Sequence, residues 1–252
     1  MRIWSVGDEQ LRHLTYTDGH QFWFDRHYKH VWGMWPENSC LEEATSFLLG
    51  PVLGILLRYK GVVCLHGSSV AINELAVTFV GPPGAGKSTT VAALGKRGYR
   101  VLADDITAIG EVDGKLHAYP AYPALWLWPD SVNGLYGSSL DKPVAAVNDK
   151  TRLSERNGLA FEFRPLPLAR IYILDCGDSA GPDSVQENFL ALVANTYATN
   201  VLTPEMRKQE FITLTKLASQ VSIRRLVSTR DFEKLQERCD QFLDETVLRQ
   251  IP

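Results

Sequence analysis

Apolar positions change their period along the chain, and the changes mark its elements. In Gln21–Trp35 the apolar residues Phe22, Phe24, Val31, Trp32 and Trp35 stand among polar ones, which predicts short antiparallel strands. Leu41-Glu42-Glu43 follows Ser39, apolar residues run from Ala44 to Leu57, and Arg58 and Lys60 close the segment. Early acids and late bases complement a helix dipole, so a helix is predicted over 40–58. Val62-Val63-Cys64-Leu65 reads as a strand. Leu75–Val80 is a second one, so continuously apolar that it should be covered on both faces. Lys87–Arg97 is helical with Gly98 at its C′ position, and Tyr99–Ala103 returns as a strand. That is a β-α-β unit, for which a right-handed crossover is expected.

Further strands are predicted at Leu116–Tyr119, Leu125–Trp128, Leu159–Phe163 and Ala169–Leu174. Asn133–Arg156 is polar and weakly periodic, which predicts a long loop or flap. The last third reads as helical. Ser184 and Glu187 form a capping box before Phe189, Leu190, Leu192 and Val193. Thr203-Pro204 opens a helix reaching Ala218, and Phe232, Leu235, Cys239 and Phe242 recur at helical spacing. The fold class is α/β: a mixed β-sheet flanked by helices, with a small β-rich N-terminal segment and a helical C-terminal third. Residues 1–60 are expected to form that segment plus a helix, and 61–252 the core, packed as one compact unit.

Composition narrows the function classes. The 252 residues carry a formal charge of −3 without a Lys/Arg-rich block, which argues against a nucleic-acid partner. The longest apolar stretch, Phe47–Leu57, is too short to span a bilayer, and no apolar region follows Met1-Arg2-Ile3-Trp4. A cytoplasmic protein with no membrane partner is expected. Cys40, Cys64, Cys176 and Cys239 match neither a zinc nor a disulfide pattern, and four buried free thiols are expected.

Gly81-Pro82-Pro83-Gly84-Ala85-Gly86-Lys87-Ser88 is a full match to the P-loop pattern G-x-x-x-x-G-K-S/T, followed by Thr89, and it lies between a predicted strand and helix. The glycines let backbone N–H groups turn inward onto a β-phosphate, Lys87 brings a point charge to the β/γ-phosphates, and Ser88 offers a hydroxyl to Mg²⁺. The helix N-terminus adds its positive end. A dinucleotide fold would need a small residue where Thr89 stands. ATP and Mg²⁺ are therefore the expected ligands.

Asp104-Asp105 closes the next strand, on the edge where open α/β sheets bind ligands. One carboxylate could hold Mg²⁺ and the other accept a proton from an attacking hydroxyl; which is the base stays open, with Asp105 assigned beside Ser88 as a metal ligand. His66 ends the strand before the P-loop, where pattern alone reads it as structural. Tyr119–Asp130 is aromatic and proline-rich, fit for core packing or for a peptide platform. Lys150 and Arg152, with Arg156 and Arg230, are candidates for neutralising a transferred phosphoryl group.

Three segments together resemble the HPr kinase/phosphorylase family: His66-Gly67-Ser68-Ser69, the P-loop, and Gly98–Asp105. The whole chain is similar to small stand-alone HPr-kinase-like proteins, through Tyr122–Asp130 and through Asp149, Lys150 and Arg152. The resemblance implies a fold similar to phosphoenolpyruvate carboxykinase and phosphorylation of a serine hydroxyl with ATP and Mg²⁺. It also implies that His66 orients one aspartate, which deprotonates the serine. Only about 60 residues precede His66 and a Glu-Ile-Arg-Gly-type signature is absent, two departures that point away from HPr as substrate. Similar small kinases modify ribosomally made peptides, including the terminal serine of lasso peptides. A serine in a peptide or small protein is the leading acceptor. A non-catalytic ATP sensor and a kinase of small-molecule hydroxyls are the alternatives, and a homo-oligomer is compatible with any of them.

Overall fold

The computed structural model describes residues 2–6, 11–137, 146–147, 150–177, 179–180 and 184–247. Strands β1 (Arg2–Val6), β2 (Leu11–Thr15), β3 (Gln21–Asp25) and β4 (Val31–Met34) form an antiparallel sheet in chain order. Alternation buries Leu14, Phe22 and Phe24 on one face, against Val52, Ile55 and Leu56. On the other face Trp4, His13, Trp23 and Trp32 stand opposite one another across all four strands.

The helix expected over 40–58 is present but interrupted. Helix α1 (Leu41–Phe47) passes through a π-helical turn, Leu48–Val52, into α2 (Leu53–Tyr59). Pro51 lies inside that turn. It has no N–H to give to the preceding turn and its ring crowds the carbonyl there, so the helix opens by a residue.

The central elements follow as β5 (Val63–Ile72), β6 (Leu75–Val80), α3 (Lys87–Lys96), β7 (Arg100–Ala103), β8 (Ile106–Val112), β9 (Lys115–Ala118), β10 (Leu125–Leu127) and α4 (Pro129–Tyr136). The chain continues with β11 (Ala146–Val147), β12 (Lys150–Leu153), β13 (Leu166–Asp175), α5 (Val185–Ala194), α6 (Pro204–Gln220), β14 (Ser222–Val227) and α7 (Phe232–Val247). The main sheet runs β14-β13-β6-β5-β8-β9, with β7 also on β5. Strand β5 organises it. Residues 63–66 pair with β8 and 67–72 with β6, while Ser69–Ala71 pair with β7. Strands β6 and β7 are both antiparallel to β5, so the β-α-β unit spans an intervening strand.

Helix α3 packs Val91, Ala92, Ala93 and Leu94 into a core shared with Phe79, Tyr172 and Phe242. A second core, on Leu65, Ile171 and Ile173, is covered by Leu192, Leu214 and Leu217. Among the described residues no helix is long and apolar enough to cross a membrane.

Several expectations change. His66 lies inside β5 rather than at a strand end. Leu159–Phe163 is not a strand; only Phe161 bridges Val101, while Glu162 turns to Arg164 and Arg100. The expected flap over 133–156 contains the end of α4 and all of β12, and 138–145 and 148–149 lie outside the described residues. Asp149 is among the latter. Cys64 and Cys239 are buried, but Cys40 and Cys176 are exposed, one just before α1 and one just past β13.

Candidate active site

The glycine-rich loop connects β6 to α3. Gly81 has φ +152, and a Cβ there would stand 2.6 Å from the Leu174 carbonyl oxygen, so only glycine lets the loop leave the sheet this close to β13. Gly86 closes the loop in the left-handed conformation, at φ +88, and α3 begins at the next residue. Lys87 is buried, and its Nζ donates to the carbonyls of Gly81 (2.8 Å) and Pro82 (3.1 Å). Burial pushes the Lys87 ammonium below its usual pKa, an effect opposed by Asp105 and Asp104. The Thr89 hydroxyl meets that of Ser131 on α4 at 2.8 Å.

Asp104 and Asp105 occupy the step between β7 and β8, both of which pair with β5. In a regular strand neighbouring side chains point to opposite faces. Asp105 instead adopts φ +64, a left-handed conformation that Asp tolerates better than most residues, and both carboxylates border one cavity. Their partners differ. Asp104 Oδ1 accepts from Ser68 Oγ (2.6 Å) and Ser88 Oγ (2.7 Å), and Oδ2 from the Trp126 backbone N–H (2.9 Å). Burial pushes the Asp104 carboxyl up, and those three donors oppose the rise. Asp105 Oδ1 lies 3.3 Å from His66 Nε2. Burial would raise Asp105 too, but His66, Lys150 and Lys87 outweigh it and hold the carboxyl below its usual value.

His66 is fixed from its backbone. Its N–H donates to the Asn195 carbonyl (2.7 Å), at the end of α5. Below it, buried hydroxyls of Ser69, Thr78 and Thr107 form a chain at 2.8 Å spacings that ties β5 to β6 and β8. The ring itself is one-third exposed and faces the cavity.

Two cavities meet at this point. The larger, about 600 Å³, holds Pro83–Thr90, His66 and the Ser228–Phe232 loop. The smaller, about 400 Å³, is walled by the π-helical turn and by residues around Tyr122. Ser88, Asp105, Trp126, Trp128 and Lys150 border both.

Of the candidate cations, Lys150 reaches the junction, with Nζ 5.2 Å from the centre of the Trp128 ring. Arg152 does not border either cavity; it lies over the Tyr122 ring and donates to its hydroxyl. Arg230 borders the larger cavity, and Arg156 sits in a 3₁₀ turn, Glu155–Asn157. Sequence reasoning missed Ser68, the Trp126 backbone N–H and the 46–51 wall. Ser68 had a signal, since it shares the His66-Gly67-Ser68-Ser69 run; the other two had none.

Chemically, the loop and α3 can hold a polyphosphate. Ser88 and Asp104 form a hydroxyl–carboxylate donor set suited to Mg²⁺, which is usually held by one or two carboxylates plus substrate phosphates. Asp105 and His66 can take a proton.

No family model matches the chain. It is similar to curated proteins named HPr kinase/phosphorylase. The Clostridium tetani protein is 44% identical over 52 residues, 21% of this chain and 17% of the relative. The Listeria welshimeri protein is 43% identical over 56 residues, 22% of this chain and 18% of the relative. The chain thus spans less than a fifth of the length of the curated relatives it matches. A solved structure, the Hpr(Ser) kinase/phosphatase from Coxiella burnetii, matches at 16% identity and a TM-score of 0.33, over 48% of this chain and 71% of that one. Where the curated relatives align, the chain is HPr kinase-like in sequence.

Proposed function

We propose that this protein is an ATP- and Mg²⁺-dependent kinase that transfers the γ-phosphoryl group to a serine hydroxyl of a peptide or small protein. The observation that carries this reading is the Asp105–His66 pair beside the glycine-rich loop, with Asp105 at the junction of two cavities, one of which holds Pro83–Thr90. A sensor that only binds nucleotide has no need of a carboxylate that faces a second cavity with a histidine held against it. The similarity to HPr kinase/phosphorylase supports the kinase chemistry.

In this reading the backbone of Gly81–Gly86 and Lys87 hold the β- and γ-phosphates, and Ser88 and Asp104 hold Mg²⁺. The Ser88–Asp104 hydrogen bond supports giving the metal to Asp104 rather than to Asp105. Bound Mg²⁺ neutralises charge on the phosphates. Asp105 accepts the serine proton as the hydroxyl attacks, and His66 keeps that carboxylate ionised and oriented. Lys150 neutralises the transferred group, a role that the stacking of Arg152 on Tyr122 argues against for Arg152. Ribosomally made peptides, lasso precursors among them, are the acceptor class the resemblance favours. The test is labelled phosphate transfer from ATP to a panel of serine peptides, beside direct ATP titration. Protein that binds ATP but labels no peptide, protein or small hydroxyl compound would be a sensor, and this reading would fall.

A further inference from the structure

The smaller cavity has a composition of its own. Among the described residues, the charged side chains that line it are Asp104, and Asp105 and Lys150 at the junction. Its walls are Phe47, Leu49 and Pro51 on one side and Ile106, Tyr122 and Ala124 on the other. The larger cavity, by contrast, takes in Lys87, Arg230 and Arg238. A polyanion finds partners in the larger and almost none in the smaller.

One wall owes its shape to the break in the N-terminal helix. Phe47 packs into the N-terminal core, stacking on His20 and tilting against Tyr16, so the start of the π-helical turn is anchored. Leu49 is only partly buried and outside that core cluster, and it borders the cavity. The opposite wall is tied to the reaction centre, because Trp126 at its edge donates its backbone N–H to Asp104. A volume of about 400 Å³ falls within the range of specific ligand sites, roughly 300–1,000 Å³.

We propose that this cavity is the acceptor subsite, and that the Phe47–Pro51 wall selects serines flanked by an apolar side chain. The inference rests on the kinase reading above. An apolar neighbour of the serine would leave water against Leu49, Pro51 and Ile106. A charged neighbour would lose its hydration against Leu49, Pro51 and Ile106, with Lys150 already committed to the transferred group in the reading above. Burying one side chain of leucine size corresponds to roughly 1.5–3 kcal/mol, or about 10–100-fold in discrimination. Small acceptors carrying a phosphate or carboxylate are disfavoured on the same ground.

Gly50 gives a clean test. It lies in the wall, its φ is not in the left-handed range, and a Cβ there would meet nothing within 4 Å. Gly50→Phe therefore starts its side chain in open space on the wall. Two peptides identical except for leucine or glutamate beside the serine are compared as substrates of the full chain. The wild type should prefer the leucine peptide by about tenfold or more in kcat/KM. Gly50→Phe should raise KM for that peptide by about tenfold while ATP affinity stays unchanged. Leu49→Ala, which removes packing surface only, should narrow the preference several-fold. Equal kcat/KM for the two peptides, or Gly50→Phe and Leu49→Ala both behaving as wild type, would overturn the subsite and leave the kinase reading standing. A Gly50→Phe protein that loses ATP affinity as much as peptide affinity would overturn it too, since the cavities would not be separate sites. No transfer by the wild type to any peptide would remove both proposals together.

Discussion

On the proposed reading, the nucleotide side and the acceptor side of the site are built in opposite ways. The phosphate-holding part of the nucleotide side is one contiguous run, Gly81 to Thr89, shaped by its own backbone conformation and a helix N-terminus, so a pattern of a few residues specifies it. Besides Ser88, the acceptor side is assembled from four distant segments: the π-helical turn near residue 50, Asp104–Ile106, the stretch around Tyr122–Trp128, and Lys150. No short pattern specifies such a surface. A phosphate is the same in every nucleotide, whereas an acceptor differs from one protein to the next. That asymmetry separates the part of the site that a motif can announce from the part that only folding reveals.

The largest expected effect strikes the nucleotide side. Lys87→Ala removes the only lysine within the loop and α3 start, and phosphoryl transfer should fall by about 10²-fold or more, with a thermal melt near wild type. Turnover measured beside the melt checks this, and unimpaired turnover would break the assignment of the loop to phosphate. Gly81→Ala attacks the same side through the backbone. Its Cβ would press on the Leu174 carbonyl at 2.6 Å, so the fold itself should lose on the order of 1–3 kcal/mol in a denaturant titration.

Asp104→Asn sharpens the comparison, because Asp104 touches both sides through Ser88 and Trp126. Burial raises its carboxyl, so the folded state holds that proton more tightly than the unfolded chain does. Ionising it costs the fold stability at neutral pH, and that cost is relieved as pH falls through its raised value. Metal binding needs the ionised form. Mg²⁺-dependent ATP affinity should therefore decline on acidification sooner than an ordinary aspartate would allow, and the Asn variant should lack that decline while binding Mg²⁺·ATP more weakly throughout. Pro51→Ala is the smallest change. It restores an N–H and lets the π-helical turn tighten, so peptide KM should shift a few-fold with ATP affinity unmoved.

Much of the fold was legible in the residues, and the misses have physical causes. The strand–loop–helix around Gly81 and the capped helices at Ser184 and Thr203 are local signals; both side chains cap their helices, Ser184 through the Glu187 N–H alone and without the return bond of the expected capping box. Strand β14 escaped because Arg224 and Arg225 spoil its pattern; Arg225 is neutralised by a two-pronged pair with Asp175 on the adjacent strand, a partner 50 residues away. His66 read as a strand end because glycine follows it. In the structure Gly67 lets β5 run on beneath Phe79, whose carbonyl oxygen would lie 2.8 Å from any Cβ there. The division of labour between the two aspartates was hidden for a similar reason. It depends on Ser68, on a backbone N–H of residue 126 and on a left-handed conformation at Asp105. No spacing rule contains those.

The central claim is that nucleotide and hydroxyl meet at Asp105. Asp105→Asn keeps the size of the side chain and removes its charge, so it isolates proton acceptance from packing. The decisive measurement is labelled phosphate transfer from ATP to a serine peptide by this variant, with ATP affinity titrated on the same preparation. A positioned carboxylate base contributes about 10²–10⁴-fold, so transfer should fall by that factor while ATP affinity stays near wild type, and His66→Ala should show the same pattern more weakly. Transfer at the wild-type rate by Asp105→Asn, with ATP binding intact, would contradict the account.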